Sequence, residues 1–164
     1  MNARTTRTLA AALSLTAALA MSGCSSDGGD SGGKPKLSVS GAFMPQPVND
    51  KMAGAFMVIK NDSKTADKLT GVTSTLSDDL QIHETKDQKM QQVQSMDVPA
   101  NGELRLERGG SHVMFMGLKS TPKVGDKVTV ELRFEKTAPV KVELDVKERT
   151  YNAQTPTSTD GTAH

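Results

Sequence analysis

From Lys36 onward the apolar residues recur at every second position, and helical spacing is hard to find. "KVTVELRFE" (127–135) aligns Val128, Val130, Leu132 and Phe134 on one face. "VKVELDVKE" (140–148) aligns Val140, Val142, Leu144 and Val146, with charged residues between them. "KLSVSGAFM" (36–44), "AGAFMVIKN" (53–61), "DKLTGVTS" (67–74), "LQIHETK" (80–86) and "GELRLE" (102–107) read as further strands. Between them stand "MPQPVND", "KNDSK", "PANG", "RGG" and "TPKVGD", whose Pro, Gly, Asn and Asp residues favour turns. Seven or eight short strands at this spacing predict an all-β chain folded as an antiparallel β-sandwich.

One further strand complicates that pattern. "GGSHVMFMGL" (109–118) directs Val113 and Phe115 to one face and His112, Met114 and Met116 to the other. Such a strand is either buried on both sides or carries a row of metal ligands. "GG" at 109–110 reads as a hairpin turn rather than as an anion cradle.

The ends of the chain lie outside this pattern. Arg4 and Arg7 precede the short apolar run "LAAALSLTAALAM", and "MSGC" sets small residues before Cys24. This is the layout of a secretory signal over residues 1–23, too short in its apolar part for a comfortable membrane span. Small residues before a Cys resemble the lipobox of bacterial lipoproteins, with Met21 where Leu is usual. The resemblance implies that Cys24, the only cysteine, carries the lipid. "SSDGGDSGGK" then reads as a flexible tether over 24–35, the domain as residues 36–149, and the polar, Thr-rich stretch 150–164 as a disordered tail.

Composition narrows the function. Without residues 1–23, 18 basic and 19 acidic side chains remain, a net charge of −1. That balance argues against nucleic-acid binding, which calls for a basic patch. The domain has no cysteine and so no disulfide, and its roughly 115 residues suffice for a core. No nucleophile elbow, zinc-protease helix or phosphate-binding loop is present, so no enzyme is predicted. Asp78 and Asp79 read as a solvated turn.

Histidines and methionines remain. After the signal there are three histidines (His83, His112, His164) and seven methionines (Met44, Met52, Met57, Met90, Met96, Met114, Met116). His83 falls on the polar face of its strand with Gln81 and Thr85, Met90 lies just past the following turn, and His112 and Met114 come from another strand. Two imidazoles and two thioethers can thus meet at one end of a sandwich. Thioethers are soft and uncharged and suit Cu(I), while competing poorly for zinc or magnesium. They are also immune to the disulfide formation that threatens paired thiolates outside the cytoplasm. A domain without cysteine cannot build a blue-copper electron-transfer site. The donor set suits holding copper and passing it on.

At these residues the chain resembles the periplasmic copper chaperones of the PCuAC family. Their motif is a His, a Met after a spacer, twenty-one residues, then His-x-Met. Here Met90 is followed by residues 91–111 and then by His112, Val113 and Met114. "VPANGELRLERGGSHVMFMGLK" is similar to the family's stretch between those ligands, and "GAFMPQPVNDKMAGAFMVIKN" to its N-terminal strands. One departure stands out. Six residues separate His83 from Met90, where the family usually has about ten.

The resemblance covers residues 36–148 and implies a cupredoxin-like Greek-key sandwich of about seven to nine strands. It implies Cu(I) held by His83, Met90, His112 and Met114. Met96 is the fallback for Met90, while Met52 and Met116 are auxiliary candidates. Met44 and Met57 are expected in the core, and His164 is expected to be idle. The resemblance further implies delivery to the binuclear copper centre of cytochrome c oxidase, on its subunit II, beside Sco-type proteins. The expected setting is extracytoplasmic, with the protein lipid-anchored to the cell membrane. Two other readings compete: a cell-surface copper buffer or scavenger without a dedicated acceptor, and a structural or adhesive sandwich whose His and Met residues are incidental.

Overall fold

The computed structural model describes residues 33–153. The signal segment 1–23, Cys24, the tether as far as Gly32, and the tail from residue 154, His164 included, lie outside the described residues. The described residues form ten strands: β1 (Leu37–Pro45), β2 (Met52–Asn61), β3 (Asp67–Ser74), β4 (Asp79–Lys86), β5 (Lys89–Val93), β6 (Met96–Val98), β7 (Gly102–Leu106), β8 (His112–Met116), β9 (Lys127–Phe134) and β10 (Val140–Lys147).

The alternation seen in the sequence is the alternation of burial. In β2, Ala53, Ala55, Met57 and Ile59 are buried while the residues between them are not. In β9, Val128, Val130, Leu132 and Phe134 face the core. These side chains meet Met44, Leu69, Val113, Phe115, Leu144 and Val146 in one apolar cluster. Full burial of each of the larger ones is worth about 1.5–3 kcal/mol. Met44 and Met57 are core residues, as expected, at 0% and 2% exposure.

The strands run in the order β5-β4-β8-β2-β1-β10-β9-β3-β6, with β7 also beside β2. The sheet folds back on itself, bringing β3 against β4 and β6 against β7. Pairing among the described strands is antiparallel except between β1 and β10, so the sheet is mixed. A bulge between Ser40 and Phe43, with Gly41 at φ 59°, shifts the register of β1. Beyond it Phe43, Met44 and Pro45 lie beside Asp145, Val146 and Lys147 of β10. A bulge of this kind re-aims a strand.

One segment departs from the sequence reading. β7 and β8 do not form a hairpin. Both pair antiparallel with β2, β7 against Met57–Asn61 and β8 against Met52–Ala55. They are two parts of one strand path interrupted by residues 107–111. The Glu107 amide donates to Ser111 O and the Gly110 amide to Glu107 O, closing the excursion, and Gly109 supplies the positive φ (77°) that it needs. Beyond the boundary expected at residue 149, Tyr151 packs edge-on against Phe43, with ring centroids 4.9 Å apart.

A buried carboxylate ties the far side of the sheet together. Asp67, at the start of β3, is 2% exposed. It accepts hydrogen bonds from the amides of Lys68, Lys136 and Thr137 and from the Thr137 hydroxyl.

Candidate metal centre

The candidate ligands gather on the outer face of β5-β4-β8-β2, opposite the core. On β8, Val113 and Phe115 are fully buried on the core side, which leaves His112, Met114 and Met116 on the other face. Pairing in β4 and β8 sets His83 opposite His112, Gln81 opposite Met114 and Asp79 opposite Met116. On the other flank, β2 sets Gly54 opposite Met114 and Met52 opposite Met116. β5 sets Met90 opposite Thr85, one pleat from His83.

The short spacer between His83 and Met90 has a direct structural account. Asp87 and Gln88 both take positive φ, 51° and 62°, between Lys86 and Lys89, which pair with each other. This is the two-residue turn that matches the twist of a hairpin. β4 therefore reverses tightly into β5, and Met90 returns to the face of His83 as a diagonal neighbour, a separation that long side chains span.

Each histidine is held by one nitrogen. The His112 Nδ1 lies 3.0 Å from the Gly110 carbonyl oxygen, which can only accept, so Nδ1 carries the proton and Nε2 keeps its lone pair. The same carbonyl accepts from the Thr85 hydroxyl at 2.9 Å, which ties the 107–111 excursion to β4. His83 is arranged the other way round. Its Nε2 lies 2.9 Å from Gln81 Oε1, while its Nδ1 is buried and has no hydrogen-bond partner. The rings are 5.5 Å apart, centroid to centroid. Burial, and then the electrostatic cost of protonating a second imidazole beside His112, hold the His83 pKa below that of a free imidazole.

Cu(I) fits this donor set. A buried imidazole nitrogen without a partner is costly unless something accepts its lone pair. Among the described residues no three His, Cys, Asp or Glu side chains come together, so a metal here would draw on thioethers as well. Met114 is half-buried, whereas Met90 is 57% exposed on the edge strand. Met52, Met90, His112 and Met114 line an open cleft of about 500 Å³. His83 is set back from it, and neither Met116 nor Met96 lines it.

The auxiliary candidates therefore separate. Met52 opens β2, 52% exposed, at the mouth of the cleft. Met116 shares the ligand face one pleat beyond Met114. Met96 is 7% exposed in β6, packed in the core and paired with Leu69, so the fallback for Met90 lies away from the site.

Several residues of the site did not stand out in the sequence. Phe56 leans over Gly54, where a Cβ would come within 3.2 Å of its ring, and its centroid is 6.1 Å from that of His112. Phe43 stacks behind Phe56 at 5.3 Å, and the Arg108 guanidinium lies over Phe56 at 5.9 Å. Strict alternation in "MAGAFM" places Met52, Gly54 and Phe56 on one face and carries that signal. Asp79, read as part of a solvated turn, accepts from Gln81 Nε2 with both carboxylate oxygens at 3.2 Å. Asp78 beside it pairs with Lys119.

The fold is shared with solved proteins. It is similar to the "Copper-bound PCuAC domain from PmoF2" (TM-score 0.63, 22% identity, covering 70% of this chain and 95% of that one). It is similar also to the "Apo PCuAC domain from PmoF1" (TM-score 0.64, 25% identity, 70% and 96%). A third is "CuI-DR1885 from Deinococcus Radiodurans" in solution (TM-score 0.58, 27% identity, 76% and 85%). In sequence, the chain is 40% identical over 98 residues to "Putative lipoprotein Lxx21020" of Leifsonia xyli subsp. xyli, a match over 56% of this chain. It spans about three fifths (59%) of the length of that relative. The family described as "Putative lipoprotein LpqE-like" matches residues 37–146, about two thirds of the chain. The chain thus belongs to the LpqE-like family, and its β domain has the PCuAC fold.

Proposed function

We propose that this protein is an extracytoplasmic Cu(I) carrier, anchored by a lipid on Cys24, that binds copper as cargo through His83, Met90, His112 and Met114. The observation that carries the reading is the unpartnered, buried Nδ1 of His83 beside the His112 ring, on a face that also presents two thioethers. Copper binding by proteins of the same fold supports it. The role is one of binding and transfer, with no catalytic step.

The arrangement suits release as well as capture. His112 is 6% exposed and fixed by Gly110, whereas Met90 sits exposed on the edge strand. A soft donor from an acceptor can therefore displace Met90 while the imidazoles still hold the ion. Delivery to the binuclear copper centre of cytochrome c oxidase subunit II, beside a Sco-type protein, is the destination that the family resemblance supports. The alternative is a cell-surface copper buffer without a dedicated acceptor.

Anaerobic Cu(I) titration against a chromophoric chelator tests the binding: one equivalent held by the parent, and weakened in His112→Ala and Met114→Ala, is the expected result. Equal affinity in parent and variants rejects the site. Deletion under copper limitation separates the two roles. A carrier with a dedicated acceptor leaves the oxidase short of copper, and a buffer leaves it loaded.

A further inference from the structure

We propose that Asp79 and Gln81 form a positioning clamp that holds His83 in its Nε2-protonated tautomer and so commits Nδ1 to the copper. The inference rests on the copper reading above and adds which nitrogen of each histidine binds.

Asp79, Gln81 and His83 alternate along one face of β4. The Asp79 carboxylate can only accept, and both of its oxygens lie 3.2 Å from Gln81 Nε2. That fixes the orientation of the amide and points Oε1 toward β4's histidine. Oε1 also can only accept, so the His83 Nε2 at 2.9 Å donates to it. The proton is then on Nε2, and Nδ1 carries a lone pair with no protein partner.

The reverse tautomer is disfavoured at both ends. It would bury an Nδ1–H with no acceptor and set the Nε2 lone pair against Oε1. Turning the amide over to relieve that contact would put Oε1 against the Asp79 carboxylate. A histidine kept only for structure has both nitrogens satisfied or wet. Here one is saturated by a two-residue relay and the other is left bare. Partners that orient a metal-binding histidine in this way commonly alter metal affinity by about 10–100-fold when removed.

His112 has the opposite arrangement, with Nδ1 donating to Gly110 O and Nε2 bare. The two histidines therefore bind the same ion through different nitrogens, His83 through Nδ1 and His112 through Nε2. Gln81 is a positioning residue and does not itself touch the ion.

The test uses the mature protein labelled with 15N-histidine, with His83 assigned by its loss in His83→Ala. Long-range 1H–15N NMR of the copper-free parent is expected to show His83 protonated on Nε2. Adding one equivalent of Cu(I) should move its Nδ1 resonance most. Gln81→Met, which removes the acceptor, should populate both tautomers and lower Cu(I) affinity about tenfold. Gln81→Glu, which keeps an acceptor, should retain the parent tautomer and most of the affinity. A parent His83 protonated on Nδ1, or Gln81→Met affinity within twofold of the parent, overturns the clamp. If the parent binds no Cu(I), the copper reading itself fails, whatever tautomer the copper-free protein shows.

Discussion

His83 and His112 stand opposite each other on β4 and β8, 5.5 Å apart, yet each is oriented by a different element. Gln81 on β4 holds the first, and the carbonyl of Gly110 in the β7–β8 excursion holds the second. Removing one ring therefore leaves the other in place. His83→Ala and His112→Ala should each lower Cu(I) affinity by more than the about 10–100-fold that loss of an outer partner costs. In a double-mutant cycle the two should couple strongly in copper affinity and weakly in unfolding free energy. Additive losses of affinity would mean that the rings do not share an ion.

The methionines divide by their surroundings. Met90 is 57% exposed and Met96 is 7% exposed, although the sequence allowed either to be the ligand. Met96→Ala should destabilise the fold by about 2–5 kcal/mol, the usual cost of truncating a core methionine, and leave Cu(I) affinity of the folded protein unchanged. Met90→Ala should do the reverse, with a stability change within about 0.5 kcal/mol and a clear loss of copper. Urea unfolding and chelator competition on the two variants check both halves, and a Met96 variant that folds but loses copper would reverse the assignment.

The core-facing strands were legible because their burial is one-sided, and period two is the physical signature of that geometry. β2, β9 and β10 show it plainly. β5 and β6 were not legible as strands. "KMQQV" is an edge strand with little buried side chain, so it carries no apolar alternation, and β6 has only three residues. The 107–111 excursion was misread for a related reason. Gly-Gly signals a tight turn, but only strand pairing tells whether the chain reverses or returns to the same neighbour, as β8 returns to β2. At the site, the proposed ligands His83, Met90, His112 and Met114 were readable from residue type and spacing. Their orienting partners were not, because Gln81, Asp79 and a backbone carbonyl gain meaning only from the distances between them.

Asp67 gives a stability prediction independent of copper. Burial, the largest single influence, pushes its carboxyl up, but the Thr137 hydroxyl and the amides of Lys68, Lys136 and Thr137 together hold it below the usual value. A depressed carboxylate contributes stability that is present above its unfolded pKa of about 3.9 and is lost as pH falls through the folded value. Asp67→Ala leaves buried donors unsatisfied and should cost about 1–3 kcal/mol near neutral pH. The gap between parent and variant should narrow on acidification below about pH 4. A gap that stays constant to pH 3 in urea unfolding would assign the loss to packing instead of charge. Cu(I) affinity should not change.

The pH dependence of the copper site follows from His83. Its pKa is lowered, first by burial and then by the neighbouring His112 ring, so the folded chain releases that proton more readily than the unfolded chain does. Below about pH 6.5 the unfolded state takes up the proton first. Between that point and the lowered folded pKa the unfolded chain holds more protons, so the copper-free protein should lose stability as pH falls. His83→Gln should flatten that part of the slope, read as urea midpoints at pH 7.5 and 5.5. Copper responds to the same group with a different onset. Imidazole binds only when neutral, so protons compete at His83 only below its lowered pKa, further into acid than at a free imidazole, while thioethers do not titrate. The part of the acid-dependent loss of Cu(I) affinity that His83 contributes should therefore set in further into acid than a free imidazole would give, and His83→Gln should remove that part. Acid profiles of Cu(I) affinity that are the same in the parent and in His83→Gln would exclude His83 as a ligand.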